Sequence, residues 1–389
     1  MRAFRSQYLK MASLQLGRTL IQRNGRDVYI IAEIGQNHQG SLEVAKLMIK
    51  EARDAGCNCV KFQKSCLEEK FTKSALRRTY NDFNSWGKSY GEHKAFLEFS
   101  FEQYLELKEY SRSIGIDFTA SAMDEVSLYQ LDLLNVPFIK IGSGDANNFP
   151  LLEKAAKLQR PIIISTGMQT ATTIERIKRI MSDAKKSNYG IMHCVSSYPT
   201  KPEDCQLNKI SWLRQIFPHL VIGYSGHEVG IQITQAAVLI GARVVERHFT
   251  LDNSLKGSDH KCSLEPRDMK QMVLDLKNLM SSSIIDRPLT SSEVFSLLGN
   301  TRDVIKALQI CNNGKIIEDC EINCRKKLGK SLVTKKALNP GYVICRDDLK
   351  VKVSEPNGIW AEYIDEVVGL QLLQYIDADY PLLWEYVRK

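Results

Sequence analysis

The residues best suited to chemistry are lysines, a glutamate, histidines and small hydroxyls that recur just after short apolar runs. Glu33 closes one run and leads into Gly35-Gln36-Asn37-His38. Lys61 and Gln63 close the next, and Ser121 the third. Lys140 lies in the fourth, ahead of Gly142-Ser143-Gly144-Asp145. Ser165-Thr166-Gly167 end the fifth, and Ser196 and Tyr198 come after the sixth. Ser225-Gly226-His227 end the seventh and Glu246-Arg247-His248 the eighth. Loops are polar in any protein, but that does not account for Glu33, Lys61 and Lys140 near the ends of apolar runs. Burying such charges unpaired is expensive. Two lysines acting as point charges, with Ser121, Ser143, Ser165 and Ser225, would cradle a phosphate and a carboxylate. Glycines beside the serines let backbone N–H groups approach an oxyanion. A Schiff base on one of the lysines is an alternative that these residues leave open. His227 and His248 are one strand-and-helix step apart. A single histidine in such a place is usually an ordinary hydrogen-bonded residue, whereas two at matched strand ends suit a divalent metal with open positions. His38, His93, His193 and His260 are weaker candidates, and His219, after Phe217-Pro218, reads as structural.

These residues need a frame that brings strand ends together. The apolar runs cover residues 28–34, 57–62, 116–120, 138–141, 161–165, 189–193, 220–223 and 243–247. Amphipathic helical patterns fall between them, at 42–55, 101–113, 125–134, 151–158, 173–185 and 231–240. Continuous apolar strands alternating with helices predict a parallel sheet buried on both faces. Eight such units predict an α/β fold closed as a (β/α)₈ TIM barrel, whose active site lies at the C-terminal strand ends. An open, doubly wound sheet is the alternative, because periodicity does not show closure. Residues 77–94 fall in an unusually long gap and read as an active-site loop. A helix is expected around 266–280. From Leu328 the texture changes to short alternating runs divided by Asn339-Pro340-Gly341 and Glu355-Pro356-Asn357-Gly358, the marks of a small β-rich domain. The expected organisation is a basic extension over 1–26, a barrel over 27–282, a linker or insertion over 283–326 and a small domain over 327–389.

Hydrophobic residues make up 43% and charged residues 25% of the chain, the balance of a folded protein rather than a disordered one. No apolar run approaches the ~20 residues that span a bilayer. The ten cysteines form no metal-knuckle repeat. Without a recognisable secretory signal they read as reduced thiols of a cytosolic protein. The net charge of +8 is concentrated at the start, where Arg2, Arg5, Lys10, Arg18, Arg23 and Arg26 precede the first acidic residue, Asp27. An acid-free, arginine-containing leader has the composition of a mitochondrial transit peptide. A loose extension, with Met11 as an alternative start, is the plainer reading. The remainder is close to charge-balanced, which favours a small anionic substrate over a nucleic acid or a membrane surface.

The chain resembles the sialic acid synthase family, the N-acetylneuraminate synthases. The resemblance rests on Ala32-Glu33-Ile34-Gly35-Gln36-Asn37-His38-Gln39-Gly40, Lys140-Ile141-Gly142-Ser143-Gly144-Asp145, Ser165-Thr166-Gly167-Met168, Ile222-Gly223-Tyr224-Ser225-Gly226-His227 and Glu246-Arg247-His248, in order. It runs unbroken from Val28 to Pro266. The last part, with Leu328-Gly329-Lys330-Ser331 and a Pro-Gly turn, resembles the antifreeze-like (SAF) domain that comes after the barrel in this family. Ser85-Trp86-Gly87-Lys88, Tyr90-Gly91-Glu92-His93-Lys94 and Val351-Lys352-Val353 look like the animal branch.

The resemblance implies that phosphoenolpyruvate adds through its methylene carbon to the aldehyde of open-chain N-acetylmannosamine or its 6-phosphate. Water attacks the other alkene carbon and phosphate leaves. By matching position, His227 and His248 would hold Mn²⁺ or Mg²⁺. Lys61, Ser121, Lys140, Ser143, Ser165, Ser196 and Ser225 would grip phosphoenolpyruvate. Glu33 would be the acid/base group, and Gln63, Asp145, Tyr198 and Asp259 would bind the sugar. The family also implies a homodimer with exchanged C-terminal domains. Ser121 and Ser196 stand where bacterial members often have Thr and Asn. Val353 stands where they carry an arginine that reaches the sugar of a neighbouring subunit, which puts this domain's role in substrate binding in doubt. The animal branch is expected to use the phosphorylated sugar, with Arg77, Arg78, Lys88 or Lys94 binding its phosphate. A basic, solvated surface is the plain alternative for those four. Residues 300–322 look like an insertion with no assignable role. Two other functions stay open: condensation with another aldose such as mannose 6-phosphate, or a saccharide-binding protein with an inactive barrel.

Overall fold

The computed structural model describes residues 12–282, 286–309 and 314–389. An antiparallel hairpin, β1 (Ser13–Leu16) and β2 (Thr19–Gln22), precedes eight parallel strands. These are β3 (Tyr29–Gly35), β4 (Cys59–Lys64), β5 (Asp117–Ala122), β6 (Ile139–Ile141), β7 (Ile162–Ser165), β8 (Tyr189–Cys194), β9 (Val221–Gly226) and β10 (Val244–His248). They form a closed barrel, with β10 pairing back onto β3 from Val244–Tyr29 to His248–Glu33. Each apolar run lies on one strand within two or three residues. Helices over Leu42–Asp54, Phe101–Ile114, Glu125–Leu133, Phe149–Lys157, Ala171–Asp183 and Gln232–Leu239 fill the expected intervals. Ser41, Ser100, Asp124 and Thr170 cap four of them by accepting from a first-turn N–H. A helix over Asn208–Ile216, which had no predicted counterpart, completes the step between β8 and β9.

Within the expected loose extension over 1–26, the hairpin corrects the described part. Leu14, Leu16 and Ile21 are buried and pack on Tyr29, Ile31, Phe138 and Met192 at the N-terminal end of the barrel. Arg23, also buried, donates to the carbonyls of Phe217 and Leu220. The alternation of buried and exposed residues in Ser13–Leu16 is that of a half-buried strand. Arg2, Arg5, Lys10 and Met11, on which the transit-peptide reading and the alternative start rest, lie outside the described residues.

Residues 77–94 are loop over 78–89 and helical at their two ends, where helices Lys73–Arg77 and Tyr90–Leu97 take over, with a capping box of Ser89 and Glu92 starting the second helix. Trp86 stacks on His93 and Phe96. Beyond the barrel lie helices Ser291–Leu298, Arg302–Ala307 and Ile322–Leu328. The last domain pairs Ser331–Thr334 with Leu349–Lys352, and Gln371–Leu372 with Val387–Arg388. Gly341, after Asn339-Pro340, has φ +82°, the left-handed conformation that this turn requires. The domain packs on the helices after β4. Lys350 pairs with Glu69 at 2.7 Å, and Val353 exchanges backbone bonds with Lys70 and Thr72.

Candidate active site

Alternation along each strand decides which side chains enter the barrel mouth. On β10, Glu246 and His248 point inward. Arg247 points outward and binds Glu228 at 3.0 Å and the Thr234 hydroxyl at 2.8 Å. Register aligns Gln63 with Ser121, Ser121 with Lys140, Glu246 with Ser225 and His248 with Glu33. The β3–β4 register shifts between Glu33 and Gly35, where Gly35 takes φ +55°. Bulges of this kind re-aim a side chain beside an active site.

The result is a cavity of about 500 Å³ at the C-terminal strand ends. Glu33, Lys61, Gln63, Ser121, Lys140, Ser143, Asp145, Ser165, Ser196, Tyr198, Ser225, His227, His248 and Asp259 all line it. A second cavity of about 370 Å³, between residues 19–30 and 276–281, carries none of these groups.

At the floor of the larger cavity, the Lys61 ammonium lies 2.6 Å from a Glu33 oxygen and 3.7 Å from Glu246. It donates to Ser121 at 2.9 Å. Lys140 donates to Ser165 at 2.7 Å and lies 3.3 Å from Glu246. Ser225 donates to the same Glu246 oxygen at 3.1 Å, and the Gln63 amide to Glu33 at 2.9 Å. Ser143 and Ser196 share a hydrogen bond of 2.8 Å. Gly167 backs that pair, and a Cβ there would overlap the Ser196 hydroxyl.

The two carboxylates differ in kind. Burial pushes Glu33 up, and Glu246 nearby adds to this against the pull of Lys61. Burial acts on Glu246 too, but Lys140 and Lys61 overcome it and hold the carboxyl down to about 2. Among the ammonium groups, burial lowers Lys140, while Glu246 and Glu33 raise Lys61 against its own burial.

The imidazoles of His227 and His248 face each other, with ring centroids 5.4 Å apart, and Tyr198 lies 4.1 Å from His227. His227 gives its Nδ1 proton to the Val195 carbonyl at 2.8 Å. Cys194 lies within hydrogen-bonding reach of His227. His248 Nδ1 is buried with no hydrogen-bond partner, 3.8 Å from an Asp259 oxygen. Burial holds His248 down to about 3, so its ring is neutral at ordinary pH. Two facing imidazoles, one with an orphaned buried nitrogen, fit a divalent ion. Among the described residues no set of three or more His, Cys, Asp or Glu is placed to hold one. Water and substrate would therefore fill the other positions.

The remaining histidines are structural. His193 bonds the Cys205 carbonyl, His260 bonds Thr250, and His38 stacks on Phe99. His93 lies between Tyr80 and Trp86. Of the four basic residues expected at a second phosphate, only Lys94 lines the cavity. Arg77 and Lys88 are exposed, and Arg78 pairs with Glu355 at 3.3 Å.

Sequence reasoning missed several contributors. Glu246 ends its strand as Glu33 does, so the same signal was present. Lys330 binds Asp145 at 2.7 Å and the Met123 carbonyl at 2.7 Å, so the C-terminal domain does reach the site, through this lysine and not through Val353. Val353 is buried against Phe71, Ala75 and Tyr90. In the stretch that had no assignable role, Glu321 accepts from the backbone N–H groups of Met168 and Ser196 at 2.7 and 2.8 Å. Lys315 donates to the Cys194 carbonyl at 2.8 Å. No periodic pattern marks those two residues.

Comparison with known proteins agrees with this fold. The model of the NeuB family matches residues 48–284, and that of the SAF domain matches 329–388. The chain is 57% identical to the N-acetylneuraminate-9-phosphate synthase of Drosophila melanogaster over 92% of this chain and 95% of that one. It is 46% identical to the human protein of the same name, over 92% of each. Among solved structures, the spore coat polysaccharide biosynthesis protein SpsE of Bacillus subtilis superposes with a TM-score of 0.76 at 26% identity. That match covers 97% of this chain and 99% of the other.

Proposed function

The chain belongs to the NeuB family, and on that premise we propose that it condenses phosphoenolpyruvate with N-acetylmannosamine 6-phosphate to give sialic acid 9-phosphate and phosphate. The observation that carries this reading is the pairing of two buried lysines with serine hydroxyls and two unlike carboxylates on one cavity floor.

Lys61 and Lys140, with the hydroxyls of Ser121, Ser143, Ser165, Ser196 and Ser225, bind the phosphate and carboxylate of phosphoenolpyruvate. Glu246 holds both ammonium groups in place and favours their charged forms against burial. Gln63, Asp145, Tyr198 and Asp259 orient the sugar so that its aldehyde carbon faces the methylene carbon of phosphoenolpyruvate. A carbon–carbon bond forms between the two, and the aldehyde oxygen takes up a proton. Water adds at the neighbouring carbon and loses a proton, and the carbon–oxygen bond to phosphate breaks. Glu33, with its raised carboxyl, is placed to move one of these protons. His227 and His248 would hold Mn²⁺ or Mg²⁺, which when bound supplies a Lewis acid for the aldehyde oxygen.

A cytosolic location and a homodimer with exchanged C-terminal domains belong to the same proposal. The nine cysteines among the described residues are all free, as suits a reducing compartment. The domain's contacts with the barrel join residues far apart in sequence, such as Lys330–Asp145 and Lys350–Glu69, so two copies could exchange them. No helix among the described residues is long and apolar enough to cross a membrane.

The test is phosphate release from phosphoenolpyruvate with Mn²⁺, offering N-acetylmannosamine 6-phosphate, free N-acetylmannosamine or mannose 6-phosphate, with and without EDTA. Fastest release with the first sugar, abolished by EDTA and restored by Mn²⁺, is expected. Faster release with mannose 6-phosphate reassigns the acceptor. Full activity in EDTA removes the metal from the proposal. No release with any sugar leaves a saccharide-binding protein.

A further inference from the structure

Six lysines and four carboxylates line the cavity. Lys61 and Lys140 are held by Glu33 and Glu246, and Lys330 by Asp145. The other three, Lys70, Lys94 and Lys327, pair with no carboxylate among the described residues. Lys70 is 7% exposed, and its ammonium donates to the Met123 thioether sulfur at 2.8 Å and lies 5.0 Å from the centre of the Phe71 ring. A thioether is a weak acceptor. Lys94 donates to the neutral Gln36 amide at 2.8 Å and lies 5.5 Å from the centre of the Tyr90 ring. Lys327 lines the cavity from the helix Ile322–Leu328.

Ammonium groups buried against neutral partners are costly unless an anion joins them. Burial, with Lys94 and Lys330 nearby, holds Lys70 down to about 7. Burial, with Lys327 nearby, holds Lys94 down to about 8. Phosphoenolpyruvate is matched by the floor, where lysines and serines converge. These three lysines sit apart from it, where the helices after β4 meet the C-terminal segment.

Resting on the synthase reading above, we propose that Lys70, Lys94 and Lys327 form a second anion subsite. It takes the terminal phosphate of the sugar acceptor and sets the preference for phosphorylated over free sugar. Of the basic residues in 77–94 only Lys94 takes part. Arg77 and Lys88 are exposed, and Arg78 is committed to Glu355.

The test is steady-state kinetics with phosphoenolpyruvate and Mn²⁺, using N-acetylmannosamine 6-phosphate and free N-acetylmannosamine in parallel. Lys327→Ala and Lys94→Met should each lower the ratio of kcat/KM for phosphorylated over free sugar about tenfold or more, the loss of one charge-assisted hydrogen bond. The change should fall mainly in the sugar KM, with the KM for phosphoenolpyruvate moving by less than about twofold, and Lys327→Arg should keep the ratio. Lys327 is half-buried, so its variants carry the test should Lys94→Met fold poorly. An unchanged ratio in the Lys327 variants overturns the subsite. So does a phosphoenolpyruvate KM that rises in step with that of the phosphorylated sugar. A wild-type protein that turns over free sugar as well as phosphorylated sugar also sinks it, while the synthase reading stands. A wild-type protein that condenses neither sugar sinks the synthase reading itself.

Discussion

Glu33 and Glu246 are buried carboxylates at one cavity floor, and their neighbours drive them apart. Lys140 and Lys61 together keep Glu246 ionised, whereas burial and the Glu246 charge make Glu33 hold its proton more tightly than a free glutamate does. Pairs pushed apart in this way divide the work of a fixed charge and a proton carrier. A carboxyl raised above 4.5 is still protonated where a free glutamate has ionised. The pH profile of kcat/KM, which reports the free enzyme, should therefore show a limb with its midpoint above 4.5 that belongs to Glu33. Glu33→Gln should remove that limb and lower kcat by about 10²–10⁴-fold, the usual contribution of a positioned acid or base. Steady-state kinetics across about pH 4–9, which brackets ordinary carboxyl and imidazole values, measures both. An unchanged limb in Glu33→Gln would move the role to another group. At this scale the sequence is informative. A charged side chain at the end of an apolar strand has few structural uses, and Glu33, Lys61 and Lys140 stand out for that reason. Glu246 carries the same signal, but it sits in a motif whose histidine, His248, draws the notice instead.

At the scale of elements, the strands and helices are legible because each repeats a period that the barrel imposes, two residues in a strand and 3.6 in a helix. The hairpin at the barrel's base obeys the same rule over only four residues a strand, too short a run for Leu14, Leu16 and Ile21 to stand out among the arginines around them. The stretch around Lys315 and Glu321 repeats no period. Its role is to strap the loops after β7 and β8. One Glu321 oxygen accepts from Met168 and Ser196, and residue 196 is one of the groups expected to hold phosphoenolpyruvate. Glu321→Ala would leave two buried N–H groups without an acceptor, at about 1–3 kcal/mol each. The expected outcome is lower stability in urea together with a KM for phosphoenolpyruvate raised about tenfold, within the range that one lost interaction allows. Glu321→Gln keeps an accepting oxygen and should recover most of that KM. A Glu321→Ala enzyme that is less stable but has an unaltered KM would reduce the strap to a purely structural role.

At the scale of the whole molecule, the site is a joint product of the barrel and the C-terminal third of the chain. Eight strand ends supply the floor, and Lys327 and Lys330 supply part of the roof. Sequence periodicity reaches the first set but not the second, since a pairing such as Lys330–Asp145 is set by how two domains dock. That pair is the clearest link between docking and chemistry. Lys330 is 1% and Asp145 4% exposed, and Asp145 is one of the residues expected to hold the sugar. Removing one partner leaves a buried charge alone, which costs about 3–5 kcal/mol. Removing both leaves none. Lys330→Met and Asp145→Asn should therefore each lower stability, and the double variant should be less damaged than the sum of the two. The coupling energy should lie at about 1–3 kcal/mol, as for charges in one buried network. Urea unfolding of the four proteins measures the cycle, and limited proteolysis between the domains reads the same loosening. Additive losses would mean that Lys330 reaches Asp145 without holding the domain there. A coupling of the expected size would mean that whatever engages Asp145 also bears on how firmly the C-terminal domain closes over the cavity.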